Sequence, residues 1–377
     1  MKFNAQKSAL SPALSAAKFV IPSKPLIAIS GCILLKLRGN NLEIFANDAT
    51  GLGVSLTIEV EGQKDGEIAV LASDLTETIS NAPDGLLNIS VEKSAVTISW
   101  GEERDSNLQG YNSEDFIKIP EVEAESKVSL KVPTLDFLLS KVGFATSKSS
   151  GDRPALAGIL LEAEENRLCA VSTDGFRLAR IYLAPEENTE FALERARIIP
   201  PRAVQALLGA AKAAGDSENI VTMEFSETHL NFQTPNAKVI SKLLEGPYPS
   251  WRPVIPSNTP ITIKFNTKEA LDVLQRISAT ADKQNHAARL SIENTEELKV
   301  SATGTRNTRD KIPCSCEYQG GDFPLNFGIN VTYLIEVLKI SNSEETVVLV
   351  NGEHSNCKIL PTVNDDDILF LLMLLRK

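Results

Sequence analysis

The chain has 377 residues, of which 42% are hydrophobic and 23% charged, and its formal net charge is −11. One hydrophobic core rarely serves a chain of this length, so two or three domains are expected. The composition is that of an ordinary soluble protein, with no long low-complexity tract. An acidic balance of this size, taken alone, also argues against a nucleic-acid partner.

Neither end of the chain has the features of a targeting or membrane segment. The start, MKFNAQKSAL, lacks the charged and then apolar pattern of a signal peptide, and the longest apolar run, ILFLLMLL at 368–375, is too short to span a bilayer. The five cysteines are an odd number and are widely scattered, which is typical of a reducing compartment. The sequence therefore predicts a cytoplasmic protein with no membrane partner.

A short alternating strand followed by an amphipathic helix recurs three times along the chain. The copies are MKFNAQKSALSPALSAAKFV at the start, VSLKVPTLDFLLSKVGFATS from Val128 and ITIKFNTKEALDVLQRISAT from Ile261. Their apolar anchors Phe3, Leu130 and Phe265 are 127 and 135 residues apart. A repeat of this length indicates tandem domains.

A second strand–helix element recurs with nearly the same period. It occurs as IAVLASDLTETISNAPDG, ARIIPPRAVQALLGAAKAAG and LNFGINVTYLIEVLKISNS, with Leu75, Val204 and Tyr333 at matching places. Between the helices, NNLEIFANDATGLGVSLTIEVEG, LLNISVEKSAVTISWGE and NIVTMEFSETHLNFQTPNAKVISKLLEG alternate as hairpins do. The sequence thus predicts three α+β domains, each with two helices and antiparallel sheets.

Two segments suit linkers between these domains. The acidic IPEVEAESK lies near residue 125, and the proline-rich WRPVIPSNTP lies near residue 257. The expected domains are therefore 1–125, 126–256 and 257–377.

Positive charge is concentrated in the predicted helices and their flanks, which carry +5 against −16 for the rest of the chain. Helices of this kind are able to face a polyanion while acidic sheets repel it elsewhere. Contacts from a few Lys and Arg to phosphates would be weak, independent of base sequence and sensitive to salt.

No metal or cofactor site is expected. Cys314 and Cys316 form a C-x-C pair, but a zinc site needs two more ligands, and no histidine lies at ligand spacing. The chain also contains neither a glycine-rich phosphate loop nor a His-Glu metal motif. Two strand cysteines are the preferred interpretation.

The segment VSTDGFRLAR at 171–180 combines a hydroxyl, a carboxylate, a glycine and an arginine. Asp174-Gly175 between two apolar runs is a strong hairpin signal, because both residue types tolerate a positive φ. The alternative is an enzyme that uses Thr173, Asp174 and Arg177. No histidine lies near in sequence to activate the hydroxyl, so a turn is preferred.

Five motifs in order along the whole chain resemble the bacterial sliding clamp family, the beta subunits of DNA polymerase III. They are MKF with ALSPAL, VSTDGFRLA, SKLLEGPYPSWRPVIP at 241–256, INVTYLIEVLKI at 329–340 and the C-terminal LLMLLRK. Three tandem α+β repeats with basic helices are also the plan of this family.

The resemblance implies a head-to-tail homodimeric ring of six similar domains that encloses duplex DNA. Such a clamp is not an enzyme and needs no cofactor; it confers processivity by tethering the replicative polymerase and other replication or repair proteins, and a clamp loader is a further partner. Enclosure would reconcile a net charge of −11 with a DNA partner. A monomeric peptide-binding adaptor without DNA remains an alternative, as does the enzyme.

The resemblance also implies an apolar pocket, between the second and third domains, into which partner proteins insert a short peptide. Its expected residues are Leu156, Thr173, Gly175, Phe176, Arg177, Leu178, Pro249, Val254, Asn330, Tyr333, Leu371, Leu372, Met373, Leu374, Leu375 and Arg376. Three positions depart from the usual family pattern: Phe176 replaces a common histidine, Pro253 a frequent arginine and Leu374 a frequent proline. The second polar edge would fall near His354 and Asn356.

Expected DNA contacts are Lys24, which matches a basic loop residue of the family, and Arg153 and Arg202 beside the helices of the second repeat. The resemblance places the dimer contact between the last strands of the first domain, around 100–116, and the third domain's helix near 272–281.

Overall fold

The structure is a computed structural model of the full chain. It describes residues 1–25, 27–116, 123–148, 151, 153–303, 307–319, 321, 323–352, 356–361 and 367–375. Within these residues the helices are α1 (Lys7–Val20), α2 (Ala72–Asn81), α3 (Val132–Val142), α4 (Pro201–Ala213), α5 (Thr267–Ser278) and α6 (Val331–Ser341).

The strands fall into two groups along the chain. The first strands are β1 (Lys2–Gln6), β2 (Cys32–Arg38), β3 (Asn41–Asn47), β4 (Gly53–Glu59), β5 (Glu61–Lys64), β6 (Gly66–Leu71), β7 (Leu86–Glu92), β8 (Ala95–Ser99), β9 (Asp105–Tyr111), β10 (Ser126–Lys131), β11 (Ile159–Glu164), β12 (Arg167–Thr173) and β13 (Arg177–Leu183). The later strands are β14 (Glu190–Ala192), β15 (Arg197–Ile199), β16 (Ile220–Phe225), β17 (His229–Gln233), β18 (Ala237–Lys242), β19 (Ile261–Asn266), β20 (Ala287–Ile292), β21 (Glu297–Thr303), β22 (Asn307–Pro313), β23 (Ser315–Tyr318), β24 (Leu325–Asn330), β25 (Glu345–Val350), β26 (Asn356–Leu360) and β27 (Ile368–Met373).

The chain divides into two compact units. The first comprises 1–137 and 185–244, and the second comprises 138–184 and 245–377. The first unit contains a 14-stranded antiparallel sheet in the order β14-β10-β16-β17-β18-β4-β3-β2-β6-β9-β8-β7-β1-β5. In this unit α1 packs against α2 and α4.

The second unit contains two antiparallel sheets. One has the strand order β11-β12-β13-β27-β26-β25-β19-β23, and a four-stranded sheet has the order β22-β21-β20-β24. Helices α5 and α6 pack together, and α5 also packs on β21 and β22. Antiparallel pairing throughout confirms the predicted α+β class with two helices per repeat.

The predicted strand–helix elements are confirmed at all six positions. Phe3, Leu130 and Phe265 are buried in the strands that precede α1, α3 and α5. Burial of the same apolar position in each copy explains why the pattern recurs. The predicted hairpins are also present, as β3–β4, β7–β8 and the β16–β17–β18 meander.

Side chains at the helix ends satisfy backbone groups that lack helical partners. The Asn266 side chain accepts from the Glu269 amide at the start of α5, at 3.0 Å. At the end of α6, the Lys141 ammonium donates to the carbonyls of Ile340 and Ser341 at 2.6 and 3.3 Å. Burial lowers the pKa of this ammonium.

All five cysteines are free thiols, and four of them, Cys32, Cys169, Cys316 and Cys357, are buried. Cys314 is half-buried and directly precedes β23, which contains Cys316. Among the described residues, no group of three or more His, Cys, Asp or Glu side chains is arranged to hold a metal ion. Within the same residues, no helix has the length and apolar character needed to cross a bilayer.

Thiol labelling of the native protein is expected to be slow. It should begin at Cys314, because the other four thiols are buried. Burial raises the pKa of Cys314 to about 11 and that of Cys169 and Cys357 to about 12. The reactive thiolate is therefore a minor species at neutral pH, and its fraction increases roughly tenfold per unit as pH rises towards 11. Peptide mapping after iodoacetamide treatment at several pH values measures this.

The unfolded chain serves as the control, since all five thiols should then react at similar rates. Fast labelling of buried Cys357 in the native protein at neutral pH would contradict the described packing.

Candidate functional site

The segment 171–180 forms a hairpin between β12 and β13, in which Thr173 pairs with Leu178. Only Gly175 in the turn has a positive φ, at +91°, whereas the sequence suggested that Asp174 would share this conformation. One carboxylate oxygen of Asp174 accepts from the amides of Phe176 and Arg177 at 2.9 and 3.0 Å. This Asx-type bonding fixes the turn.

The Thr173 hydroxyl is also fully used within the turn. It donates to the Arg177 carbonyl at 2.6 Å and accepts from the Gly175 amide at 3.0 Å. Thr173 and Asp174 therefore hold the hairpin in shape. The Thr173 proton is directed at a backbone carbonyl, which is not a base that could turn this hydroxyl into a nucleophile.

The Arg177 side chain is only 4% exposed, and each of its nitrogens has a partner. Its Nε donates to Asp174 at 3.1 Å, one terminal nitrogen donates to Glu336 on α6 and the other donates to the Phe144 carbonyl at 2.9 Å. A planar guanidinium suits this arrangement, because its donors diverge within one plane. Arg177 thus connects the β12–β13 turn to helix α6.

Two aromatic rings pack against this guanidinium. The guanidinium carbon lies 4.3 Å from the Tyr333 ring centre and 5.1 Å from that of Phe144. Burial, reinforced by the Asp174 carboxylate, raises the pKa of the Tyr333 phenol. Removing one member of a buried ion pair typically costs roughly 3–5 kcal/mol, so Arg177 is a structural centre of this region.

A cavity of about 170 Å³ opens beside the hairpin, and its lining is mainly apolar. It is lined by Arg153, Leu156, Thr173, Gly175, Phe176, Arg177, Leu178, Pro249, Ser250, Trp251, Val254, Asn356, Leu371 and Met373. All of these residues belong to the second unit. The structure thus brings together ten of the sixteen residues that the family resemblance implied.

The lining separates into a buried base and an exposed rim. Leu178 and Leu371 are buried, whereas Phe176, Met373 and Val254 are 62%, 50% and 44% exposed. Large apolar side chains this exposed leave surface that a ligand could cover. The rim therefore resembles the edge of a binding pocket more than a fragment of core.

Backbone pairing decides which residues of the C-terminal strand reach the cavity. In β27, Leu371 and Met373 line it, whereas Leu372 points to the other face and is buried opposite Cys357. Leu374 is buried, and Leu375 pairs with Gly328 on β24, outside this cavity. Arg376 and His354 lie outside the described residues.

Two implied pocket residues, the N-cap residue of α6 and a tyrosine within that helix, support the site without lining the cavity. The Asn330 side chain accepts from the amides of Thr332 and Tyr333 at 3.0 and 3.1 Å, so it caps the helix. Tyr333 covers the Arg177 guanidinium. The cap fixes the start of α6, and the Tyr333–Arg177 contact fixes α6 relative to the hairpin.

The structure adds Arg153, Ser250 and Trp251 to the lining and also places Asn356 there, near which the second polar edge was expected. Trp251 is 4% exposed, and its indole Nε1 has no hydrogen-bond partner among the described residues. The Asn356 amide donates to the Val254 carbonyl at 3.1 Å. The 241–256 motif contains Trp251, so this residue could have been predicted as part of the pocket. Arg153 was expected to contact DNA instead.

The remaining expected DNA residues lie in the first unit. Lys24 is exposed in the loop after α1. Arg202 donates to the carbonyls of Phe19 and Val20 at 3.2 and 3.1 Å, so its guanidinium caps the C-terminal end of α1. Arg202 therefore has a structural role whether or not it also contacts phosphate.

Comparison with known proteins covers nearly the whole chain. Family models of the DNA polymerase III beta subunit match the N-terminal domain at 1–120, the central domain at 129–250 and the C-terminal domain at 252–376. The beta sliding clamp of Pseudomonas putida is 26% identical over 97% of both chains, and that of Bacillus subtilis is 25% identical over 100% of both.

Solved structures agree on the fold. The sliding clamp (DNA polymerase III subunit beta) of Bartonella birtlesii, solved bound to griselimycin, aligns over 100% of both chains with a TM-score of 0.89 at 24% identity. The three family models in chain order, together with the full-length relatives, decide the assignment. The chain belongs to the DNA polymerase III beta subunit family and is a DNA sliding clamp, a non-catalytic processivity factor of the polymerase.

Proposed function

We propose that the cavity beside the β12–β13 hairpin is the docking site for short peptides of partner proteins, among them the replicative polymerase and the clamp loader. The observation that carries this proposal is the exposed apolar rim of Phe176, Val254 and Met373 around a cavity with a buried leucine base. A peptide that places one or two apolar side chains there would gain most of its affinity from filling the cavity.

Phe176 and Met373 influence which peptides fit. Phenylalanine at 176 makes this side of the rim apolar, and methionine adapts its flexible side chain to different shapes. Trp251, buried in the cavity wall, adds a further aromatic surface. We therefore favour peptides with aliphatic or aromatic anchors.

The ring would be a head-to-tail homodimer that encloses duplex DNA and acts in the cytoplasm, with domains 1–125, 126–256 and 257–377. A strand edge that is unpaired among the described residues supports the dimer: β9 pairs with β8 along 105–109 and meets β6 through Gly110 and Tyr111. In the third domain, β22 is an edge strand, and Arg276 of α5 bonds Asp310 on it at 2.8 Å. Edges of this kind readily accept another chain.

DNA contacts would come from the helices and their loops. Lys24 and Arg202 remain the proposed phosphate contacts of the first unit. The α1–α2 groove adds Lys18 and the hydroxyls of Ser11, Ser15 and Thr76. Arg153 is proposed to contact either phosphate or the docked peptide, since it is exposed and lines the cavity.

Truncation of the apolar rim is expected to weaken peptide docking. With a fluorescein-labelled peptide carrying a Leu-Leu-Phe anchor, Phe176→Ala and Met373→Ala should each weaken binding by roughly tenfold or more, because both remove anchoring surface. Fluorescence anisotropy measures the dissociation constant. Leu86→Ala is the matched control, since Leu86 is 48% exposed in the other unit.

Equal loss in the Leu86→Ala control, or unchanged affinity in both rim variants with native thermal unfolding, would contradict the docking site.

Retention on DNA should depend on topology. Loaded by a competent clamp loader with ATP, the protein should remain on circular DNA in 0.5 M salt and leave linear DNA at its ends, since enclosure resists salt and phosphate contacts do not. Gel filtration of the loaded DNA before and after linearisation measures this. Equal loss from both forms would mean that no closed ring exists.

Introducing a charged side chain at the proposed dimer contact should dissociate the dimer. Leu108 on β9 and Leu271 on α5 are both half-buried. Leu271→Asp should convert a dimer into a monomer of 40.9 kDa by light scattering. Leu86→Asp, in the strand β7, is the control that should remain dimeric. A native chain that is already monomeric at micromolar concentration would favour the adaptor alternative.

A further inference from the structure

A second, polar cleft of about 550 Å³ lies in the four-stranded sheet of the second unit. Its lining includes Arg289 on β20, Ser301 on β21, Arg309 on β22 and Gly328 on β24. The strand registers align Gly328 with Arg289, Arg289 with Ser301 and Ser301 with Arg309. Directly paired residues project from the same face, so two guanidinium side chains flank one serine across three neighbouring strands.

These two arginines lack carboxylate partners within the described residues. Arg289 donates to the Asn326 side-chain oxygen at 3.2 and 2.9 Å, and Arg309 makes no side-chain hydrogen bond or ion pair there. The next row of the same face differs, because Lys299 and Lys311 each bond a glutamate, at 2.5 and 2.8 Å. Two uncompensated cations are notable in a chain of net charge −11.

The C-terminal strand connects this cleft to the docking cavity. Met373 lines the cavity, and Leu375, two residues further on, lines the cleft. Two residues of extended chain span about 7 Å. The connection depends on Gly328, whose amide carbonyl accepts from the Leu375 amide at 2.8 Å, and a Cβ at 328 would lie only 3.2 Å from the Leu375 Cβ.

We propose that the cleft binds an acidic segment that flanks the apolar anchor of a docked partner peptide. This inference rests on the proposed docking cavity and specifies the chemistry of its ligand. Carboxylates match guanidinium groups in geometry and charge, and the hydroxyl of Ser301 and the amide of Asn307 add donors nearby. A peptide anchored beside Met373 and continuing along the strand to Leu375 would bring its flanking residues to Arg289 and Arg309.

Two labelled peptides test the proposal by fluorescence anisotropy at 50 mM salt: one with a Leu-Leu-Phe anchor flanked by Asp-Glu-Asp-Glu, and one with the same anchor flanked by Ser-Gln-Ser-Gln. The acidic peptide should bind roughly fivefold to tenfold more tightly, as two partly exposed charge pairs allow. Arg289→Ala/Arg309→Ala should remove this advantage and leave the neutral peptide unaffected. The matched control, Arg38→Ala/Arg195→Ala, deletes two exposed arginines of the other unit and should preserve it.

The outcomes separate the two proposals. Binding of both peptides with equal affinity would overturn the acidic cleft and leave the docking cavity intact. Binding of neither would remove both. An acidic advantage that survives Arg289→Ala/Arg309→Ala would also overturn the cleft. Displacement of the acidic peptide by a single-stranded oligonucleotide in an Arg289- and Arg309-dependent manner would identify a nucleic-acid site instead.

Discussion

The buried guanidinium of Arg177 is the contact on which the site depends. It connects the β12–β13 turn to α6 through Asp174 and Glu336, and it also bonds the Phe144 carbonyl. A charge this deeply buried is tolerated only when its donors are satisfied, so the three elements must come together in one arrangement. The apolar cavity opens beside a turn whose shape is fixed by these bonds.

Rigid and adaptable parts of the site are separated. Hydrogen bonds hold the hairpin and the Asn330 cap, and packing holds the buried leucines, whereas Phe176 and Met373 extend from this base towards solvent. A preformed base lowers the ordering cost of binding, and the exposed side chains can adjust to different ligands. That combination suits a non-catalytic sliding clamp better than an enzyme that transforms a substrate.

Much of the fold was predictable, because strand and helix periodicities repeat three times with nearly one spacing. The family motifs also identified most of the cavity lining. The side of β27 that faces the cavity was not predictable, since it is set by pairing with β13 and β26, and apolar residues occupy both faces. Asn330 was assigned to the pocket from its motif, but the capping geometry that defines its contact appears only in three dimensions.

The alternation of β27 also limits how this wall can evolve. Leu371 and Met373 face the cavity while Leu372 faces Cys357, and the strand is paired on both sides. A single-residue insertion or deletion within it would exchange the two faces and move a buried leucine into the cavity. Divergence at this wall should therefore proceed by substitution, with length changes falling outside β27.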